Sequence, residues 1–272
     1  MVNWRTGAVD AVGLFGDYLR LTGVAHVGPE PAENPALAGK RLGVLNGSSW
    51  ITLWANYFGR LFLPGVHLVN VGNEAVQINF MEAHERGEEC PPESNIAAFV
   101  RYAQDLVELA RVDAILITCS TMNRAYHEVE KAVASDGVPV VQIDRPMMER
   151  AVTHGGNIFV VATHGPTVTS TQALLQETAD ELHAPVSFSG AVVEEAWEYL
   201  ATGDVINHNA YLARVIRGEV GERTVGCVVL AQLSMSVFGL SYPDSLREFG
   251  VPVYTSAERG FQRVREILTG IA

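Results

Sequence analysis

VDAILITCSTMN, residues 112–123, decides the fold: an apolar run of strand length stops at Thr118, and a turn carrying Cys119 leads into a helical pattern. The same grammar recurs along the chain. RLGVLN (41–46), VPVVQI (138–143), NIFVVAT (157–163), TVGCVVLA (224–231) and VPVYT (251–255) are further runs of this kind, and helical periodicity occupies 49–62, 94–110, 122–134, 167–182, 191–217 and 256–269. Near-continuous apolar strands alternating with helices predict an α/β fold whose parallel sheets are covered on both faces.

The second half of the chain repeats the first. One shift carries Cys119 onto Gln232, AILIT (114–118) onto CVVLA (227–231), Thr121-Met122 onto Ser234-Met235, and GVPVV (137–141) onto GVPVY (250–254). A slightly larger shift lays LGVLN (42–46) on FVVAT (159–163), as a length change in an intervening loop produces. The repeat predicts two pseudo-symmetric lobes, each a mostly parallel sheet flanked by helices. The active site is expected in the cleft between them, at the carboxyl ends of the strands, where helix N-termini also point. The expected division is an N-terminal extension packed on the lobes (1–40), a first lobe carrying Cys119 (41–155), a second lobe carrying Thr163 and Gln232 (156–255), and a C-terminal helix returning to the first lobe (256–272).

A formal charge of −12 leaves no basic face to displace counterions from a polyanion, so no nucleic-acid partner is expected. The chain shows neither a secretory-type start nor an unbroken apolar span of about 20 residues, which predicts a soluble cytoplasmic protein with no membrane partner. Its 3 cysteines are an odd number, widely spaced and without C-x-x-C, so neither disulfides nor a metal site is expected. No phosphate-binding P-loop, dinucleotide glycine fingerprint or G-x-S-x-G elbow occurs.

Cys119 sits where a buried strand hands over to a helix. The unsatisfied N–H groups of Ser120, Thr121 and Met122 would lower a thiol's pKa and attract anions there. Cys119 is therefore expected to be a reactive thiolate, with Ser120, Thr121 and Asn123 forming a cradle for a carboxylate. The polar runs Asn46-Gly47-Ser48-Ser49 and Thr163-His164-Gly165-Pro166-Thr167 end the matching strands, and suit either carboxylate binding or plain helix capping. His164 is the one histidine in these loops and a candidate acid or base for the face opposite Cys119, with a solvent-facing or helix-capping role as the alternative. Glu74, Asp144 and Glu194 lie near element ends, where they can orient a thiol, bind an amino group or simply be solvated. Cys227 reads as a buried inert thiol within a strand, and Cys90 as an exposed loop thiol.

ITCSTMN (117–123), VVATHGPTVTST (160–171) and VVLAQLSM (228–235), in this order, resemble the superfamily of aspartate, glutamate and hydantoin racemases, maleate isomerases and arylmalonate decarboxylases. The resemblance covers residues 40–270. It implies two lobes with the substrate between them, no metal, flavin or pyridoxal phosphate and so no cofactor, and a homodimer or higher homo-oligomer. In racemases of this kind one cysteine per lobe faces the substrate, and carboxylate-binding donors spread the carbanion's charge into an enediolate. This chain departs from the pattern, because Gln232 occupies the second cysteine's position and an amide is neither a useful acid nor a base.

The expected activity is cofactor-independent proton transfer alpha to the carboxylate of a small carboxylic or amino acid. Cys119 would be the acid/base, and His164 or water would serve the other face. The expected substrate-binding residues are Asn46, Ser48, Ser120, Thr121, Asn123, Thr163, Thr167 and Gln232, with specificity drawn from loops 72–95 and 236–246. Alternatives are a one-thiol decarboxylase of a malonate-like acid, a cis–trans isomerase acting by Cys119 addition, and a carboxylate-binding protein that has lost catalysis.

Overall fold

The computed structural model describes residues 11–22 and 34–271; the expectations for the rest of the N-terminal extension and for residue 272 fall outside the described residues. The first sheet is built from β1 (Arg41–Asn46), β2 (His67–Gly72), β3 (Ala114–Ile117) and β4 (Val140–Gln142), in the order β2-β1-β3-β4. The second contains β5 (Asn157–Ala162), β6 (Ser187–Val192), β7 (Cys227–Leu230) and β8 (Val253–Thr255), in the order β6-β5-β7-β8. Every pairing is parallel, and the two orders are the same. The central strands β3 and β7 are buried throughout, which is why they read as unbroken apolar runs.

One edge strand of each sheet hides from that reading. HLVNVG (67–72) and SFSGAV (187–192) form β2 and β6, each paired on one side only and partly exposed, so no continuous apolar run marks them. Residues 72–95, expected to be a loop, contain the helix Glu74–Glu85, capped by Asn73, whose side chain accepts from the Ala75 N–H at 2.9 Å. The expected single helix over 191–217 is instead the end of β6 followed by helices Glu194–Ala201 and Val205–Glu222, broken where Gly203 takes φ +82°.

The register moves one sequence equivalence. Leu42 pairs with Ala114 while Ile158 pairs with Cys227, so the structural counterpart of Asn46 is Ala162 and that of Gly47 is Thr163. The predicted overlay of the first strands was one residue out because the apolar pattern of β1 slides freely along that of β5, whereas pairing to the neighbouring strand does not.

Each sheet is closed by a helix that follows the other sheet. Ala257, Phe261, Val264 and Leu268 of the C-terminal helix Ser256–Thr269 lie on one helical face and pack with Leu42, Val44, Leu116 and Val141 of the first sheet. Gly260 permits the approach, since a Cβ there would stand 2.8 Å from the Ile143 carbonyl. The helix Arg145–His154, expected to end the first lobe, instead buries Met147, Met148 and Ala151 against Ile158, Val160 and Val229 of the second. The two exchanged helices also touch, with Arg263 donating to Glu149 at 3.0 Å, and so fasten the lobes around the cleft.

Candidate active site

β3 ends at Ile117, and Cys119, in extended conformation, caps a 3-10 turn over Ser120–Ala125 that continues as the helix Tyr126–Val133. Its Sγ lies 3.1 Å from the Thr121 hydroxyl and takes no capping hydrogen bond from the turn, though the backbone N–H groups of Thr121 and Met122 favour its charged form. These contacts draw the thiol's pKa down. Burial pushes it up more strongly, the buried Asp144 carboxylate adds to that push, and the net result is a raised value. The expectation of a resting thiolate is thus corrected: protein surrounds the sulfur on most sides, and at neutral pH it carries its proton.

The thiol is packed against the loop after β1. A Cβ added to Gly47 would fall 2.4 Å from Cys119 Sγ, so only glycine lets the two segments meet as they do. The Ser49 N–H donates to Glu74 at 2.9 Å and its hydroxyl binds the same carboxylate, whose pKa this hydroxyl lowers. Glu74 therefore anchors the loop from outside.

The second lobe repeats the arrangement with different chemistry. Gln232 caps a 3-10 turn over Leu233–Val237, the place Cys119 holds in the first lobe. Its amide oxygen accepts from the Thr163 N–H and from the Thr163 hydroxyl, both at 2.8 Å. A backbone N–H can only donate, which identifies the bonded atom as oxygen and leaves the NH2 as the group Gln232 has to offer.

Between the lobes lies a cavity of about 160 Å³ lined by both halves. Ser48, Cys119, Ser120, Thr121 and Gln77 come from the first, and His164, Thr167, Gln232 and Ser234 from the second. His164 precedes the helix Gly165–Glu181, but its side chain makes no capping bond, which removes the capping alternative. Its ring stands edge-on to Trp197 with centroids 5.3 Å apart, and Trp197 in turn meets Trp50 of the first lobe at 5.4 Å. Burial holds the His164 pKa below its ordinary value against the pull of Glu194, so the imidazole is neutral near pH 7.

Three expected ligands stand behind the walls instead of in them. Asn46 is buried among the strand ends, accepting from the Thr118 hydroxyl at 2.6 Å and donating to Asn70 at 3.2 Å. Thr163 is buried and spends its donors on Gln232. Asn123 points to the far side of its turn, where it donates to Asp144 at 3.3 Å. Ser120 does reach the cavity, but its hydroxyl donates to the Ala231 carbonyl of the other lobe at 2.7 Å and joins the halves.

The sequence reading overlooked Trp50, Gln77 and Trp197. Trp50 directly follows the polar run after β1, Trp197 stands three residues after Glu194 and Gln77 three residues after Glu74, so proximity to marked residues is the available signal for all three. Cys227 is buried, with its thiol pushed up to about 12, and Cys90, expected to be exposed, is partly buried with Sγ directed to the Phe80 carbonyl. A larger inter-lobe cavity of about 710 Å³ is lined by Arg145, Glu149, Glu181 and Arg263, which pair with one another, and it holds no thiol. Size does not select the site here. Among the described residues no group of three or more His, Cys, Asp or Glu side chains can hold a metal, and no described helix is long and apolar enough to cross a membrane.

Two like lobes meeting at a pocket, with a cysteine capping the turn after the third strand, define a racemase-type enzyme scaffold. The chain belongs to the Asp/Glu/hydantoin racemase family: the family model described as Asp/Glu/Hydantoin racemase matches residues 71–264. Solved structures share the fold. An aspartate racemase homologue from Pyrococcus horikoshii is similar at 19% identity over 85% of this chain and 99% of its own, with a TM-score of 0.62. Glutamate racemase from Francisella tularensis is similar at 14% identity (85% and 82% covered, TM-score 0.59), and allantoin racemase from Klebsiella pneumoniae at 18% (85% and 88% covered, TM-score 0.55). No curated protein matches the chain by sequence.

Proposed function

We propose that the protein moves a proton at the carbon next to the carboxylate of a small carboxylic acid, with Cys119 as the acid/base. The observation that carries this reading is the position of Cys119 Sγ, at the wall of the inter-lobe pocket and 3.1 Å from the Thr121 hydroxyl. The substrate carboxylate lies against the hydroxyls of Ser48, Thr121 and Thr167 and the NH2 of Gln232. These donors stabilise the enediolate more than the ground-state acid, because that is where negative charge accumulates.

In the forward step neutral His164 takes the S–H proton of Cys119, the thiolate so formed takes the proton from Cα, and the electron pair of the broken C–H bond passes into the enediolate. Return of a proton to carbon completes the cycle. Neutral His164 is the titratable group the second lobe contributes, and it accepts or supplies the proton on that side. Gln232 assists as a donor only.

One observation favours a second reading. The resting sulfur holds its proton and no second thiol lines the pocket, which suits a decarboxylase: loss of carbon dioxide itself generates the enediolate, and a single S–H then quenches it.

The test is incubation of 2-substituted carboxylic acids in deuterium oxide, following the Cα proton by NMR together with optical rotation and carbon dioxide release. Wild-type protein should wash deuterium into Cα, and Cys119→Ser should lose this while still binding the acid. Equal exchange by Cys119→Ser, or neither exchange nor carbon dioxide from any acid offered, ends the proposal.

A further inference from the structure

The described residues that wall the cleft pocket carry no formal charge. Among the described residues that line it, only Cys119 and His164 titrate, and burial holds the first protonated and the second neutral near pH 7. Among the described residues no lysine, arginine, aspartate or glutamate reaches the lining. The carboxylates that act on its titratable groups stand outside the lining, Asp144 on Cys119 and Glu194 on His164 through their fields, and Glu74 is bound by Ser49.

A charge brought into such a site must be matched by neutral donors alone. Hydroxyls and the Gln232 NH2 suffice for one carboxylate. They supply no anion for an ammonium group and no cation for a second carboxylate, and an unpaired charge taken out of water is strongly disfavoured. The other side of the pocket is apolar: Trp50 and Ile51 come from the first lobe, Trp197 and Leu233 from the second. The two indoles meet edge to face, forming one aromatic wall shared by the lobes. At about 160 Å³ the space is smaller than the ~300–1,000 Å³ of clefts for drug-sized ligands.

We infer that the substrate is a compact acid with one negative charge, no ammonium group, and a flat or apolar substituent on Cα that packs against the Trp50–Trp197 wall. This rests on the proposed chemistry at Cys119 and departs from the acidic amino acids for which the family is named. Trp50 and Trp197 are then specificity residues.

Isothermal titration calorimetry with 2-phenylpropionate, aspartate and glutamate, paired with deuterium exchange on the same acids, tests it. 2-Phenylpropionate should bind roughly tenfold or more tightly than either amino acid. Trp50→Ala and Trp197→Ala should each weaken it by about tenfold or more without changing the weak amino-acid binding. Trp197→Leu, which keeps an apolar filler, provides the check should Trp197→Ala unfold. Equal or tighter binding of aspartate or glutamate overturns the inference, as does unchanged 2-phenylpropionate affinity in the folded tryptophan variants. Selective binding without Cα exchange would leave this substrate class standing and refute the proton chemistry; exchange on glutamate or aspartate would do the reverse.

Discussion

Both donors of Thr163, its backbone N–H and its hydroxyl, end on one atom, Oε1 of Gln232, each at 2.8 Å. In the first lobe the corresponding pair is Gly47 and Cys119, where the missing Cβ leaves room for the sulfur. Each lobe matches its loop residue to its turn residue, a small one beside the thiol and a double donor beside the amide. The asymmetry of the site is therefore built into two contacts on each side, and replacing Gln232 by cysteine alone would leave the Thr163 donors without their acceptor.

Gln232→Glu should test what this clamp is for. The carboxylate can keep both Thr163 bonds, so the fold should hold, but it presents no NH2 and adds an anion to the pocket. Losing a hydrogen bond to a charged group is worth about 1.5–3 kcal/mol, so KM for the acid should rise roughly 10- to 100-fold. Steady-state kinetics beside a thermal melt would separate this from unfolding.

Gly47→Ala should damage the thiol directly. Its Cβ would lie 2.4 Å from Cys119 Sγ and 3.2 Å from Cys119 Cβ, so the sulfur must leave its seat. Overpacking of this kind costs about 1–3 kcal/mol, and exchange activity should fall with it. Adding Cys119→Ala should restore most of the stability and none of the activity. Additive destabilisation in denaturant titrations would refute the contact.

Alkylation should report the protonation of Cys119. With its pKa raised above the ordinary thiol value, the thiolate fraction at neutral pH is small and grows about tenfold with each pH unit until the group ionises. Iodoacetamide labelling, mapped to Cys119 by mass spectrometry, should accelerate accordingly between pH 7 and 9. Asp144→Asn removes one of the charges pushing the thiol up, and should speed labelling at every pH in that range. A rate independent of pH would contradict a protonated resting sulfur.

Asp144 should also leave a mark on stability. Burial lifts its pKa from 3.8 to about 6, while Ser120, Asn123 and Ser256 pull the other way. Between those values the folded chain binds more protons than the unfolded one, so this group's contribution to stability is greatest below pH 4 and declines as pH rises to 6. At about 1.4 kcal/mol per pH unit, its ionisation penalises the fold by on the order of 2–3 kcal/mol above that window. Asp144→Asn should remove this part of the pH dependence, and urea titrations at pH 4 and pH 8 would show the difference between those conditions shrink.

Much of this was legible before any coordinates. Strands β1, β3, β4, β5, β7 and β8 announce themselves as short apolar runs, the central ones because both faces need apolar side chains, and the repeat places Gln232 opposite Cys119 in the plan of the fold. The edge strands β2 and β6 did not, since a strand exposed on one side has no obligation to be uniformly apolar. Asn46, Asn123 and Thr163 were read as substrate ligands because residue type and loop position are the same for a pocket-facing side chain and one that braces the wall.

The order of polar and apolar residues along the chain determined the two α/β lobes, the cysteine at a strand end and the amide at the matching place, because local periodicity and turn chemistry are enough to specify them. Only the tertiary structure decided the one-residue register between the halves, the exchange of covering helices, the protonated state of the sulfur, and the meeting of Trp50 with Trp197. Burial and long-range contact produce each of these, and neither quantity exists until segments far apart in sequence are brought together.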